Sequence, residues 1–132
     1  MKKLKKSVNA MVSAAKARIT EITAEEAKDC FDSEKVLIVD IRDVRERQKL
    51  GYIPGSYHAP RGMLEFWIDP ESPYHKEIFA KDKNFIFYCA SAWRSALATK
   101  AAKDMGLLKV SHIEGGFANW EKSGGKIEKK SN

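Results

Sequence analysis

One cysteine stands in a setting that could do chemistry. Cys89 follows a continuous apolar run, 85–88, and a helical pattern begins near Ser95. A loop that curls over a helix N-terminus points backbone N–H groups at one spot, where the helix dipole adds partial positive charge. Arg94 adds a full positive charge. Such a setting favours anions and the thiolate form of Cys89, which can attack sulfur, phosphorus or arsenic centres.

The alternative is that Cys89 has only a packing role. Free cysteine is among the most buried residue types, so a strand-end cysteine can serve as a small apolar side chain. From spacing alone, the two interpretations of Cys89 stand about equal. The elements around the loop and the other motifs of the chain are therefore needed to choose between them.

Alternating strand and helix patterns predict an α/β fold with a mostly parallel sheet. Apolar runs predict strands, strong at 36–39 and 85–88, shorter at 110–113 and weaker at 19–22 and 56–58. Helical periodicity and end signals predict helices at 8–18, 24–32, 44–50, 77–80, 95–105 and 117–122. Sites in such sheets lie at the carboxyl ends of strands, which is where Asp40 and Cys89 stand.

Composition indicates one globular domain. The chain has 132 residues, of which 43% are hydrophobic and 32% charged, and it lacks an apolar stretch of the roughly 18 residues that a membrane span needs. The net charge is +6, but residues 7–125 carry 17 basic and 17 acidic side chains. Because the excess lies at the two ends, we expect neither a nucleic-acid nor a membrane partner. The predicted division is a helical arm at 1–18, a domain at 19–125 and a basic tail at 126–132.

The cysteine and histidine content excludes several kinds of site. Two cysteines, Cys30 and Cys89, exclude a disulfide scaffold and an all-cysteine metal site. The three histidines lack a metal-ligand spacing, so no metal is predicted, and His58 and His112 are expected in the core or at its rim. Residues 7–16 are too polar for the apolar region of an export signal, which favours the cytoplasm and reduced thiols.

Four segments resemble the rhodanese sulfurtransferase family, in the family's order. Residues 89–95 resemble its active-site loop, and residues 40–46 resemble its Asp-x-Arg-x-x-x-Glu segment. Residues 51–60 are similar to its Gly-His-Ile-Pro-Gly-Ala-x-Asn-x-Pro segment, and 115–120 to its closing Gly-Gly-x-x-x-Trp. The resemblance covers about residues 20–125. It implies a rhodanese-like α/β domain, with a central sheet of about five mostly parallel strands and helices on both faces, preceded by the helical arm.

The resemblance also implies an activity. Cys89 would take the outer sulfur of a small anionic donor such as thiosulfate, hold it as a persulfide, and pass it to cyanide, a cellular thiol or a protein. No cofactor is implied. The residues predicted to bind substrate are the rest of the loop and one arginine of the connection before the active strand, which its aromatic neighbours suggest as a pocket wall: Ala90, Ser91, Ala92, Trp93, Arg94, Ser95 and Arg61.

Two rival functions remain open. Cys89 and Arg94 form Cys-x4-Arg, whereas tyrosine phosphatases and related cell-cycle phosphatases use Cys-x5-Arg, whose wider loop holds phosphate. Loop length therefore disfavours a phosphatase or arsenate reductase. The other rival is a sulfur-relay or binding module that hands a persulfide to a protein and turns over small molecules slowly. The basic ends and the arm suit such docking.

Roles are also predicted for the supporting residues of the strand ends. Asp40 is expected to cap the turn that follows its strand, and Arg42 and Glu46, four residues apart, are expected to form an ion pair that braces the site. Ser95 is expected to cap its helix and to be able to donate to the persulfide. Arg94 either binds a substrate anion or pairs with a carboxylate.

Two features of the loop and its surroundings bear on efficiency and specificity. Ala92 stands where many family loops have glycine, and a positive φ there would cost about 1 kcal/mol or more. Trp93 is expected to form a pocket wall, with Arg61 and its aromatic neighbours opposite it. The connection 61–80 either carries specificity or is a packed surface loop.

Overall fold

The computed structural model describes residues 2–130 and contains a five-stranded sheet in which every pairing of named strands is parallel. The strands are β1 Thr20–Ile22, β2 Val36–Asp40, β3 Tyr57–His58, β4 Asn84–Tyr88 and β5 Val110–Ile113. Their order across the sheet is β1-β5-β4-β2-β3. The expected α/β fold is therefore confirmed, and the central strands β4 and β2 are the two that lead to Cys89 and Asp40.

Within residues 2–130, six α-helices accompany the strands. They are α1 Val8–Lys16, α2 Ala24–Cys30, α3 Val44–Leu50, α4 Leu64–Ile68, α5 Trp93–Asp104 and α6 Gly116–Lys122. Two 3₁₀ turns, Arg61–Met63 and Glu77–Ala80, lie in the connection before β4. The start of α2 shows why the sequence folds this way locally. The Thr23 hydroxyl accepts from the Glu26 N–H, and the Glu26 carboxylate accepts from the Thr23 N–H.

Side chains alternate across the sheet and build a core on each face. Val39, Phe85 and Phe87 pack with residues of α4 and α5. On the other face, inward side chains of the same strands, Ile38, Ile86 and Tyr88, pack with residues of α2 and α6. Helices thus cover both faces, as expected for the continuous apolar runs 36–39 and 85–88.

The segments at the two ends contact the sheet domain. Val12 and Ala15 of α1 form a buried cluster with Ala96 of α5. Near the other end, Tyr52 and Glu128 exchange two backbone hydrogen bonds of 2.9 Å. The division into arm, domain and tail stays a prediction, and residues 131 and 132 of the predicted tail lie outside the described part.

The connection 61–80 is more regular than its sequence suggests. It contains α4 and both 3₁₀ turns, and Leu64 and Ile68 of α4 are buried. Part of the connection is therefore packed against the domain, and its role in specificity stays a prediction. Helix α4 was missed because five residues are too few to display helical periodicity. No helix among residues 2–130 is long and apolar enough to cross a membrane.

Candidate active site

Cys89 lies directly after β4 at the carboxyl edge of the sheet and is 1% exposed. Its Sγ accepts hydrogen bonds from the backbone N–H of Ala92 at 3.2 Å and of Ser95 at 3.3 Å. The Ser95 hydroxyl lies 3.5 Å from the same sulfur. Three hydrogen-bonding groups therefore converge on one sulfur at the start of α5, an arrangement that stabilises negative charge there.

Ala92 makes this convergence possible through an unusual backbone conformation. Its φ is 78° and its ψ is 6°, which is the left-handed region. Among residues 2–130, it is the only residue other than glycine with a positive φ. The left-handed turn ends the loop and starts α5 at Trp93, two residues earlier than predicted. The expected cost at Ala92, about 1–2 kcal/mol for a residue with a Cβ, therefore applies.

Helix α6 supports the back of the loop. The N–H groups of Phe117 and Ala118 donate to the carbonyls of Cys89 and Ala90, at 2.8 and 3.2 Å. A Cβ on Gly116 would lie 2.5 Å from the Cys89 carbonyl oxygen, so only glycine fits there. In the sequence, Gly115-Gly116 marked the entry to a helix, and the structure shows that it also holds the cysteine loop in place.

Behind the sulfur, Ser95 contacts His112, which in turn contacts Glu21, and the sequence did not connect these residues. Its Oγ lies 2.7 Å from Nδ1 of His112, and Nε2 of His112 lies 2.7 Å from Oε2 of Glu21. Ser95 and His112 are fully buried. Ser95 is not the helix cap that was predicted, because α5 begins earlier and places its hydroxyl on the buried side, between Cys89 and His112.

The predicted ion pair between Arg42 and Glu46 is wrong. The Arg42 guanidinium instead donates two hydrogen bonds of 2.9 Å to the Asp40 carboxylate, and both side chains are fully buried. Asp40 also accepts from the Arg42 N–H, so its predicted turn-capping role is confirmed. Burial alone would raise the pKa of Asp40, but the hydrogen bonds and charge of Arg42, with a further bond from Arg47, hold the pKa below its usual value.

Glu46 pairs with Arg94 across the loop. Two hydrogen bonds of 2.7 and 3.0 Å join the guanidinium to the carboxylate. Of the two roles left open for Arg94, the structure shows pairing with a carboxylate. Glu46 is placed by the start of α3, where it accepts from the Asp43 N–H while the Asp43 carboxylate caps the helix. The hydrogen bonds from Arg94 are the main reason that the pKa of Glu46 is lowered.

The remaining predicted residues lie around the loop. Ser91 is exposed, Ala90 is half-buried, and the Trp93 side chain is 46% exposed at the start of α5. Arg61 lies at the same carboxyl edge, since its N–H donates to the carbonyl of Ile41, just past β2. Its guanidinium pairs with Glu65 at 2.7 Å. The roles of Arg61 and Trp93 as pocket walls stay predictions.

Together, the parallel sheet and the buried thiol cradled at a helix N-terminus define an α/β domain with a cysteine-loop site. Among residues 2–130, no three acidic, histidine or cysteine side chains are grouped to hold a metal ion. A family model described as the rhodanese-like domain matches residues 23–123. The chain belongs to the rhodanese-like domain family.

Two relatives show the range of this family. A Bacillus subtilis protein named "Putative sulfur carrier protein YrkF" is 33% identical over 103 residues, which are 77% of this chain and 51% of that protein. A protein of Allochromatium vinosum named "Sulfurtransferase" is 29% identical over 107 residues, 80% of this chain and 92% of that protein. The chain thus spans about half the length of the Bacillus relative.

Solved structures agree on the fold. A Rhodopseudomonas palustris protein, described as of unknown function and "Possible Tyrosine Phosphatase", is 52% identical with a TM-score of 0.93, covering 97% of this chain and 98% of that one. The polysulfide-sulfur transferase homodimer of Wolinella succinogenes is 26% identical with a TM-score of 0.70, covering 94% and 88%. The shared fold leaves the choice of chemistry to the site.

Proposed function

We propose that this protein is a sulfurtransferase in which Cys89 carries a sulfane sulfur as a persulfide. The observation that carries the proposal is the convergence of the Ala92 and Ser95 N–H groups and the Ser95 hydroxyl on Cys89 Sγ. Donors fixed in advance around a sulfur stabilise the thiolate that attacks and the anionic charge that the persulfide carries. Membership of a family that includes sulfurtransferases and a sulfur carrier supports the same chemistry.

The reaction balances with thiosulfate as the donor. The Cys89 thiolate attacks the outer sulfur, the bond between the two sulfurs of thiosulfate breaks, and sulfite leaves with the electron pair. A nucleophilic acceptor such as cyanide then attacks the outer sulfur of the persulfide, and the Cys89 thiolate is released with thiocyanate as product. The cycle needs neither an oxidant nor a reductant beyond the donor and the acceptor.

The edge of the site suggests how donors and acceptors reach the sulfur. Ser91 and Trp93 are exposed beside the buried thiol, so a partner can contact the loop directly. Arg61 and Arg94 lie on the same edge, but each is paired with a carboxylate, so the backbone N–H groups of the loop at the start of α5 are what favours an anionic donor. We propose a small anionic donor, a thiol or protein acceptor, and a cytoplasmic site of action.

A sulfur-relay function is the second candidate, and the observation that favours it is the resemblance to a named sulfur carrier. Both functions share the persulfide and differ in whether a small molecule or a protein takes the sulfur. A phosphatase is disfavoured by the Arg94–Glu46 pair, because a guanidinium with both of its terminal nitrogens on a carboxylate is not free to clamp a phosphate.

Turnover assays distinguish these functions. With thiosulfate and cyanide, the wild-type protein should produce thiocyanate, and Cys89→Ser should not. Cys30→Ser is the matched control and should keep the activity, since Cys30 lies on α2, outside the loop. Hydrolysis of p-nitrophenyl phosphate that depends on Cys89, without thiocyanate formation, would contradict the proposal. Transfer of sulfur to a protein thiol without thiocyanate formation would identify the protein as a sulfur-relay module.

A further inference from the structure

A line of hydrogen bonds leads from the proposed nucleophile to the edge of the sheet. Cys89 Sγ lies 3.5 Å from Ser95 Oγ, which lies 2.7 Å from His112 Nδ1, and His112 Nε2 lies 2.7 Å from a carboxylate oxygen of Glu21. The side chains of Ser95 and His112 are fully buried, whereas the Glu21 side chain is 29% exposed. The line therefore joins a buried thiol to a carboxylate that reaches solvent.

The pairing of strands creates this line. Glu21 on β1 and His112 on β5 are register partners in the parallel sheet, and β5 lies next to β4, which leads to Cys89. Buried polar side chains that hydrogen-bond on both sides usually have one defined arrangement of protons. His112 is the connecting group, since one ring nitrogen faces the site and the other faces Glu21.

The proton positions follow from the partners. A carboxylate only accepts hydrogen bonds, so Nε2 of His112 carries its hydrogen and Nδ1 is left with a lone pair. The Ser95 hydroxyl then donates to Nδ1, and its oxygen is free to accept from the Cys89 thiol. With the thiol protonated, every donor in the line points away from the sulfur and toward Glu21.

The line reverses when the thiol ionises. The Cys89 proton moves to Ser95 Oγ as the Ser95 proton moves to His112 Nδ1, so one proton is lost at sulfur and one is gained at the imidazole. The Ser95 hydroxyl now donates to the thiolate, and the imidazolium lies between Ser95 and the Glu21 carboxylate. No charge is created or lost overall, because the thiolate and the imidazolium form together.

The charges around the line suit this transfer. Burial lowers the pKa of His112, with the nearby cation of Lys16 on α1 acting in the same direction, while Glu21 and Glu114 partly oppose the shift. The imidazole is thus neutral at neutral pH, and the charges of Glu21 and Glu114 are what favours the imidazolium that the transfer creates. At the other end, the charge of Arg94 on α5 interacts with Cys89, but its guanidinium is paired with the Glu46 carboxylate.

We propose that Ser95, His112 and Glu21 form a proton relay that takes the proton of Cys89 and holds the Ser95 hydroxyl toward the resulting thiolate. The proposal rests on the proposed function only in using Cys89 as the nucleophile. Ser95 contacts the reacting sulfur. His112 and Glu21 act through Ser95 and are positioning residues.

Alkylation of the unloaded thiol tests the relay without any sulfur donor. All variants carry Cys30→Ser so that iodoacetamide reacts at Cys89 alone, and the rate is measured against pH. For His112→Asn, which keeps a hydrogen-bond acceptor near Ser95 but removes the base, we expect the rate at pH 7 to fall about tenfold and the profile to move up by about one pH unit. Glu21→Gln should move it in the same direction by a smaller step.

Glu114→Gln is the matched control. Glu114 also faces His112 and loses the same charge, but it is exposed and makes no hydrogen bond to the imidazole among the described contacts. Its profile should move by less than that of Glu21→Gln. If the profile of Glu21→Gln does not move from that of the starting protein, the proton relay is overturned. Equal shifts in Glu21→Gln and Glu114→Gln would also overturn it, because they would show a general charge effect.

Two further results keep the test decisive. If His112→Asn does not fold, the comparison of Glu21→Gln with Glu114→Gln still decides, because both side chains reach the surface. Thiocyanate formation by the unmodified protein is measured separately. The absence of both thiocyanate and sulfur transfer to a protein thiol, beside a shifted alkylation profile, would contradict the sulfurtransferase proposal and leave the proton relay standing. Sulfur transfer beside unshifted profiles would overturn the proton relay alone.

Discussion

Two neighbouring strands end in buried acidic groups that are treated in opposite ways. Asp40 ends β2, Cys89 follows β4, and Asp40 is the register partner of Tyr88. The Asp40 carboxylate forms ion pairs with the positively charged side chains of Arg42 and Arg47. The Cys89 sulfur accepts hydrogen bonds from two neutral backbone N–H groups, those of Ala92 and Ser95, and lies beside the Ser95 hydroxyl.

The difference separates a structural site from a reactive one. A carboxylate paired with two guanidinium groups is held in one charge state, since losing the charge would leave the buried Arg42 without a counter-ion. A sulfur held by neutral donors tolerates both the thiol and the thiolate, which a nucleophile must visit in each cycle. The sheet edge therefore combines a fixed ion pair with an adjustable group one strand away.

The largest expected effect on stability comes from breaking the buried ion pair between Asp40 and Arg42. Asp40→Asn keeps the shape but leaves Arg42 buried without its counter-charge, and we expect it to lower the free energy of unfolding by about 3–5 kcal/mol. Urea unfolding measures this change. The matched control is Asp43→Asn, three residues along, which removes an exposed charge and keeps a good helix cap, so its stability should stay near that of the wild type.

The pH dependence of stability should show the contribution of the Asp40–Arg42 ion pair without a mutation. Because the pKa of Asp40 is lower in the folded than in the unfolded protein, its pairing stabilises fully above the unfolded value of about 3.9 and is lost as the pH falls through the folded value. We expect the free energy of unfolding to decrease below about pH 4. Asp40→Asn should show a shallower decrease, and equal slopes for the two proteins would contradict this assignment.

The sequence predicts the framework of this edge better than its contacts. Continuous apolar runs identified β2 and β4, and the strand ends identified Asp40 and Cys89. The contacts depend on geometry that local patterns do not hold. A turn after β2 directs Arg42 back to Asp40, and the Glu21–His112 contact joins residues far apart in sequence because β1 pairs with β5.

The cysteine loop was predictable in part for the same reason. Its motif located the nucleophile and raised the question of strain at Ala92, which the positive φ answers. The capping role predicted for Ser95 is wrong because α5 begins two residues earlier and turns its hydroxyl inward, toward the sulfur that it was also expected to serve. Its contact with His112 was missed. Helix α4 was missed because it is only five residues long.

A middle-sized effect should come from relieving the loop. Ala92→Gly removes the Cβ from a left-handed residue, and we expect a net stabilisation of about 0.5–1 kcal/mol after the added freedom of the unfolded chain is counted. Ala101→Gly makes the same substitution inside α5 and should destabilise by about 1 kcal/mol. Thermal unfolding compares the two, and the same sign for both would contradict the strain at Ala92.

The smallest effect is expected at the half-exposed pair. The side chains of Arg94 and Glu46 are 41% and 29% exposed, so water and salt screen their attraction. We expect Glu46→Gln, which can keep the hydrogen bond at the start of α3, to change the free energy of unfolding by less than about 1 kcal/mol. The loss should shrink further in high salt. A loss as large as that of Asp40→Asn would contradict the contrast between the two pairs.

The central claim is that Cys89 is the residue that carries the transferred sulfur, and intact mass tests it most directly. After incubation with thiosulfate, the wild-type protein and Cys30→Ser should each gain one sulfur, about 32 Da, and Cys89→Ser should gain none. A gain that persists in Cys89→Ser, or no gain in folded wild-type protein with a free thiol, would contradict the account.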